Sequence, residues 1–424
     1  MTPMRTLRVL MLSWEYPPVV HGGLGRHVEA LAAAVAGLGH EVTVVVPGDA
    51  RDGTPAVEPG ASPEVSPVAG VRVVHPDPDD PVVPLAVGDL HGHVATLGAA
   101  LARVAVRDGR AAAAAGRPYD VVAAHDWVVG QAAVSTADAL DLPLVTTVHA
   151  TEAGRHQGWL PGELSRSVHA TESWLTGTSA RTLVCSEAMR RDVARLFALP
   201  DDRLAVVGNG VDLERWPAGP PAPEREPLVV FAGRLEYEKG VQVLLRTVGR
   251  LRRRVPGLQV VVAGTGTYEA ELRALARTLR LGRAVRFAGR LGDDELVALY
   301  GAAAVVAVPS IYEPFGLVAL EAAACGAPLV VSETGGLAEF ADGGRTALPV
   351  PPDDADALAD ALTTVLRDRD YADKLATSAR EAVELHDWRS VARRTCAVYR
   401  QVSAAPRPPR LPVRTPPRDT NLLR

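Results

Sequence analysis

Two doubly wound α/β lobes, each a parallel sheet covered by helices on both faces, are the fold class that this sequence predicts. Three observations carry it. Short apolar runs alternate with helix-period runs along most of the chain, which is the pattern of repeated strand–helix–strand units. One proline-rich break, LERWPAGPPAPEREP at 213–227, interrupts that alternation, and beyond it the pattern restarts. At 424 residues the chain is long enough for roughly two or three domains.

The first unit opens with RVLMLS at 8–13, an apolar run suited to a buried parallel strand. The loop WEYPPVVHGGLG leads into a helical pattern from about 26 to 38. Gly39 follows where a left-handed cap commonly ends a helix. EVTVVV at 41–46 is the second strand, and residues 47–70, rich in Pro, Gly, Ser and Asp, form a long loop. Further strands are expected at 71–75, 119–124, 143–149, 181–185 and 203–207. In the second half they fall at 228–232, 258–263, 284–288, 305–308 and 328–331, with helices near 354–367, 371–385 and 389–402. The domains so defined are 1–213, a linker at 214–227, 228–388 and a final helix at 389–404. Residues 405–424 are Pro-rich and carry five arginines against one aspartate, so they read as a disordered basic tail. Ligands of doubly wound sheets bind beyond the carboxyl ends of the strands, so a cleft between the lobes is the expected site.

Composition narrows the function. A formal net charge of −5 gives no support for nucleic-acid binding. Cys185, Cys325 and Cys396 lie far apart without a CxxC pair, against a disulfide framework or zinc cluster and in favour of a reducing cytoplasm. The run 9–12 is too short for a signal-peptide core. No stretch of about 18 apolar residues exists to span a membrane. Of 45 basic residues only two are lysine, Lys239 and Lys374. So strong a bias reads as coding composition, and it makes either lysine informative.

Polar and glycine signals recur where a strand ends and a helix begins. Gly22-Gly23-Leu24-Gly25 precedes the first helix, where backbone amides favour an anion; a bare tight turn explains the same glycines. The spacing is not GxGxxG and no acidic residue closes the second strand, which disfavours NAD. His125-Asp126-Trp127 and His149, ahead of ATEAGRHQGW, end two strands, where a histidine serves either a substrate hydroxyl or a loop. Arg234 and Lys239 stand in FAGRLEYEKG at the start of a helix. Cations there call for an anionic ligand, or for Glu236 and Glu238 as partners. Glu313 and Glu321 flank EPFGLVALE, and the amides of Phe315, Gly316 and Leu317 open its helix. Gly264 and Gly266 close another strand and permit the close approach of a flat ring. Together these describe a diphosphate held by cations and amides, with carboxylates for sugar hydroxyls. Acidic metal-binding pairs are missing from the strand ends, so Arg234 and Lys239 stand in for a metal.

The pattern WEYPP…GGLG, the Arg234/Lys239 pair and Glu313-x7-Glu321 resemble retaining glycosyltransferases of family four, which have the GT-B fold of two Rossmann-like lobes. SWEYPPVVHGGLGRH, VHATEAGRHQGW, GRLEYEKG and YEPFGLVALEAAA are similar to actinobacterial glycogen-synthase-like α-1,4-glucosyltransferases, associated with glycogen and methylglucose lipopolysaccharide assembly. His21 stands where glycogen synthases often carry lysine. The resemblance implies that Arg234 and Lys239 neutralise the departing diphosphate and that Gly23 meets it from the other lobe. It implies Glu313 on the transferred sugar, Glu321 on the donor ribose and His149 beside the reacting face. Asp126, Arg155 and His156 would line the acceptor region. The expected activity is glucosyl transfer from UDP-glucose or ADP-glucose to the non-reducing end of an α-1,4-glucan, with no metal or other cofactor. The alternatives are transfer of another sugar, such as mannose, to a lipid or small alcohol, and a non-catalytic nucleotide-sugar binder. A pyridoxal phosphate enzyme is disfavoured, since it needs a Schiff-base lysine and only two lysines exist.

Overall fold

The computed structural model describes residues 5–18, 20, 22–48, 70–83, 89–219, 226–414 and 420–423. Most of the long loop expected at 47–70, residues 220–225 of the Pro-rich linker and His21 therefore lie outside the described residues. The chain divides into two compact units. The first comprises Met1–Cys185, Arg190–Gly208 and Trp388–Arg424; the second comprises Ser186–Met189 and Asn209–Asp387.

Unit 1 is built on a seven-stranded sheet of β1 (Arg8–Leu12), β2 (Glu41–Val45), β3 (Val71–Val74), β4 (Val121–His125), β5 (Leu144–Val148), β6 (Arg181–Val184) and β7 (Leu204–Val206). Their order is β3-β2-β1-β4-β5-β6-β7 and every pairing is parallel. The continuous apolar runs have a direct cause. Val9 and Met11 of β1 enter one core layer and Leu10 and Leu12 the opposite one, so neither face tolerates polarity. Helices α1 (Gly23–Ala36), α2 (Leu90–Ala114), α3 (Gly130–Ala139), α4 (Glu152–Arg155), α5 (Gly162–Thr178) and α6 (Glu187–Phe197) follow in chain order. Gly39 adopts φ +84° just past α1, as its position predicts.

Unit 2 has six parallel strands: β8 (Leu228–Ala232), β9 (Gln259–Ala263), β10 (Val285–Gly289), β11 (Val305–Val308), β12 (Leu329–Ser332) and β13 (Leu348–Val350). Their order is β10-β9-β8-β11-β12-β13. Val229 and Phe231 of β8 feed one core layer, Val230 and Ala232 the other. The covering helices are α7 (Val241–Arg254), α8 (Glu269–Thr278), α9 (Asp293–Ala302), α10 (Leu317–Ala324), α11 (Gly335–Ala341), α12 (Ala355–Arg367) and α13 (Arg369–Val383). The last helix, α14 (Trp388–Ala404), packs in unit 1, where Val391, Cys396 and Tyr399 share a core with Val28, Leu31 and Val35 of α1. Among the described residues no helix is long and apolar enough to cross a membrane.

Two elements differ from the sequence expectation. β13 was not expected, because a three-residue strand containing Pro349 lacks an apolar run; as the last strand of the sheet it can carry a proline at little cost. The C-terminal tail, expected to be disordered, is hydrogen-bonded to unit 1 over its described residues. Leu411 N–H donates to the Gly177 carbonyl at 2.9 Å and Arg414 N–H to Ser173 Oγ at 2.8 Å. Arg410 bonds Asp138, and Arg203 bonds the Pro409 carbonyl. The segment has too few apolar residues to build a core of its own, yet it needs none where a folded surface supplies the partners.

Candidate active site

In each unit the sheet order reverses next to the first strand, between β1 and β4 and between β8 and β11. Loops that leave neighbouring strands at such a switch point converge, and that convergence assembles both groups of candidate residues.

In unit 2 the loop after β8 carries Arg234 and Lys239, and the loop after β11 carries Glu313. Main-chain bonds hold the two loops together: Ile311 N–H donates to the Glu238 carbonyl at 2.7 Å. Gly240, at φ +72°, brings the first loop so close that a Cβ there would overlap the Pro309 carbonyl. The result is a direct ion pair, Lys239 Nζ to Glu313 Oε2 at 2.8 Å, with the side chains only 18% and 15% exposed. Ser310 Oγ also donates to Glu313 Oε2, at 3.3 Å. Arg234 is exposed and lies 3.5 Å from Glu238, whereas Glu236 turns away to accept from Thr267 N and Oγ1. Of the two acids weighed as loop partners for the cations, only Glu238 takes that part.

Phe315, Gly316 and Leu317 stand at the start of α10, with Gly316 as its N-terminal cap at φ +102°. Glu321 lies farther along the same helix. Gly264 and Gly266 follow β9, where their lack of a side chain is required by the chain itself. A Cβ on Gly264 would overlap the Gly233 carbonyl and one on Gly266 the Leu235 carbonyl. These glycines report backbone crossing before they report any ligand.

In unit 1 Gly23 is the first residue of α1 and is exposed. The preceding Gly22 N–H donates to Glu15 Oε2 at 3.1 Å, so a carboxylate from outside the helix already meets the positive end of α1, whose own first turn holds no acidic side chain. β4 ends in His125, fully buried, and β5 is followed by His149. His125 Nδ1 lies 3.1 Å from His149 Nε2, and the His27 ring of α1 meets the His149 ring edge-on with centroids 4.6 Å apart. Removal from water lowers the His149 pKa to about 4 and holds His125 well below the usual histidine range, helped by its two histidine neighbours. All three rings offer one nitrogen within 4.8 Å of one another. Such a nitrogen set suits a zinc-like ion and not magnesium, which takes oxygen ligands beside phosphates.

Asp126 follows His125 with φ +62° and ψ 176°, a backbone region that side chains seldom adopt. Its Oδ1 accepts the His149 backbone N–H at 2.7 Å, tying the two strand ends together. Burial pushes its carboxyl up to about 6, against the opposing pull of the His149 amide and Arg155. Arg155 ends the one-turn helix α4, and the exposed His156 next to it lies 3.2 Å from Glu152. Beneath α4, Glu172 Oε1 accepts the Glu152 N–H at 2.9 Å while burial drives its pKa well upward.

The structure thus brings Lys239 to Glu313, and His149 to Asp126. His125 was marked at its strand end but given no role in the site, and His27, Glu15 and Glu172 were not singled out. For His27 the signal was present: it stands one helical turn after Gly23, on the buried face of α1. Glu172 gave none, since nothing local marks a helical carboxylate as buried. The buried histidines make a testable contribution to acid stability. A pKa lowered by folding adds stability above about pH 6.5, lost as pH falls and the unfolded chain takes up protons. His125→Gln is therefore expected to flatten the loss of stability between about pH 6.5 and 5, read as denaturation midpoints; an unchanged slope would contradict the assignment.

Two doubly wound units whose strand-end loops carry a Lys–Glu pair and a histidine are the features of a GT-B glycosyltransferase. The family comparisons agree. The Glycosyltransferase Family 4 model matches residues 21–215, and the model for Glycosyl transferases group 1 matches residues 212–382. The chain belongs to the family-four glycosyltransferases. Glycogen synthase of Mycobacterium tuberculosis is 43% identical over 412 residues, covering 96% of this chain and 98% of that protein. Alpha-maltose-1-phosphate synthase of Mycolicibacterium smegmatis is 31% identical, with coverage of 94% and 100%. Among solved structures, sucrose-phosphate synthase from Thermosynechococcus elongatus is similar at a TM-score of 0.77 and 25% identity, covering 94% of this chain and 99% of that one.

Proposed function

We propose that this protein transfers glucose from UDP-glucose or ADP-glucose to the non-reducing end of an α-1,4-glucan, with retention of anomeric configuration and without a metal. The observation that carries the reading is 43% identity with a glycogen synthase across 96% of the chain. Lys239 and Arg234 would draw charge from the departing diphosphate, joined by the amides of Gly23 and of Phe315, Gly316 and Leu317. Lys239 is already positioned by Glu313; on donor binding that carboxylate takes up sugar hydroxyls as well. Glu321 serves the ribose, and His149 hydrogen-bonds the transferred sugar. Asp126, by bonding the His149 amide, sets the height of that ring, and Arg155 and His156 face the acceptor.

In the reaction the bond from C1 to the phosphate oxygen breaks as the acceptor 4-hydroxyl adds to the same face of C1. The hydroxyl proton passes to the leaving phosphate, so no protein nucleophile is required. The chain's contribution is orientation and charge stabilisation. The three cysteines are buried free thiols, which suits work in the reducing cytoplasm.

The test is incubation of the pure protein with each nucleotide glucose and maltooligosaccharides. Nucleotide diphosphate release with lengthened chains supports the reading, and neither product refutes it. A parallel arm with glucose 1-phosphate addresses a second reading, motivated by the 31% identity with an alpha-maltose-1-phosphate synthase; disaccharide phosphate formed in preference to longer glucan favours it. Mannose donors with lipid or small-alcohol acceptors form a third arm. Metal independence predicts full turnover in excess EDTA, and loss that magnesium restores would contradict it.

A further inference from the structure

Among the described residues, Trp159 is the largest exposed apolar side chain, at 48% of its surface. It sits four residues beyond Arg155, at the end of the turn that follows α4, where its backbone N–H donates to the His156 carbonyl at 3.0 Å. That turn is built from two consecutive left-handed residues, Gln157 at φ +53° and Gly158 at φ +91°. For Gln157 the conformation is disfavoured and persists only if the surroundings impose it. The far end of the chain does so. Asn421 Nδ2 donates to the Gln157 carbonyl at 2.9 Å, and Leu422 N–H donates to the Gly158 carbonyl at 2.8 Å. A Cβ on Gly158 would overlap Asn421 Oδ1, so the fit is close. Arg195 anchors the same end through the Leu423 carbonyl at 2.9 Å.

A large indole held in water on a rigid, strained turn is an unusual use of a side chain that burial would stabilise. Chemistry suggests its ligand. The faces of a pyranose ring are rows of C–H groups and its hydroxyls lie around the edge. A flat aromatic ring covers such a face with little loss of side-chain entropy, while nearby polar groups take the hydroxyls. Arg155 and His156, one turn earlier, supply such groups.

We propose that Trp159 is a stacking platform for the pyranose rings of the acceptor, and that Asn421 and Leu422 are positioning residues that hold it in register. The assignment rests on the reading of the acceptor as an α-glucan. It gives the C-terminal segment a role in substrate binding beyond stability.

The test is electrophoretic retardation of the full-length protein in gels containing glycogen, without donor, paired with acceptor and donor KM values. Trp159→Ala is expected to weaken glycogen retention and raise the maltoheptaose KM by roughly tenfold, the scale of one aromatic contact. Donor KM and melting temperature stay unchanged, and Trp159→Phe retains most of the binding. Deleting residues 420–424 reproduces the alanine variant. If the shortened chain does not fold, Asn421→Ala shifts acceptor KM in the same direction by a smaller factor. Equal retention of wild type and Trp159→Ala overturns the platform. A loss confined to Trp159→Ala, with the tail variants normal, overturns the positioning role. Wild type that glycogen does not retard overturns the glucan reading itself, and this assignment with it.

Discussion

Lys239→Arg is expected to lower turnover by about 10²-fold, the scale of losing one stabilising donor at a developing charge, while Lys374→Arg leaves it unchanged. The contrast is informative because arginine is this protein's default cation: 43 of its 45 basic residues are arginine, leaving only Lys239 and Lys374. Lys374 is exposed on α13. Lys239 is 18% exposed and meets Glu313 Oε2 at 2.8 Å beside Ser310. A compact ammonium fits between the two loops, but a planar guanidinium must spread over a larger area and recruits a different donor geometry. The substituted side chain either displaces the Glu313 carboxylate or leaves it inside without its counter-charge, a costly outcome. Steady-state kinetics with the donor that proves active measures the effect, and unchanged kcat would remove the specific role of the ammonium.

Gly264→Ala is expected to cost about 3 kcal/mol or more of stability, through overpacking added to a disallowed backbone conformation. Gly264 adopts φ +132°, and its missing Cβ is the space occupied by the Gly233 carbonyl. Neither backbone can retreat easily: Gly264 N–H donates to the Gly289 carbonyl at 2.7 Å and Gly233 N–H to the Ala263 carbonyl at 3.1 Å. Movement at this point shifts the loop that carries Arg234 and Lys239, so activity should fall with stability. Thermal unfolding measures the first effect, and an unchanged melting temperature would show that the crossing is looser than described.

Much of the fold was legible. Largely apolar strands such as β1, β4 and β8 announce themselves because both faces are buried, and the sequence expectation for each matches within about two residues. β13 did not, because three residues around a proline carry too little pattern. The candidate site residues could be picked out by type and by position at strand ends. Their partners were not: that Lys239 meets Glu313, 74 residues away, depends on β8 and β11 being neighbours. The glycines misdirect more subtly. Gly264 and Gly266 read as room for a ligand, and the structure has the chain's own carbonyls in that room.

The parallel two-unit α/β architecture and the candidate loops at the strand ends were readable along the chain, since apolar periodicity and strand-end glycines are local signals. Which charges pair, which histidines stack and which carboxylates lose water emerge from folding, because those depend on strand order and burial. The basic tail marks the boundary most clearly. Composition describes what a segment can bury on its own, and alone these residues can bury little. Against the carbonyls and hydroxyl of Gln157, Gly158, Ser173 and Gly177 they need only supply hydrogen-bond partners at the right spacing, a match that no local reading of either segment contains.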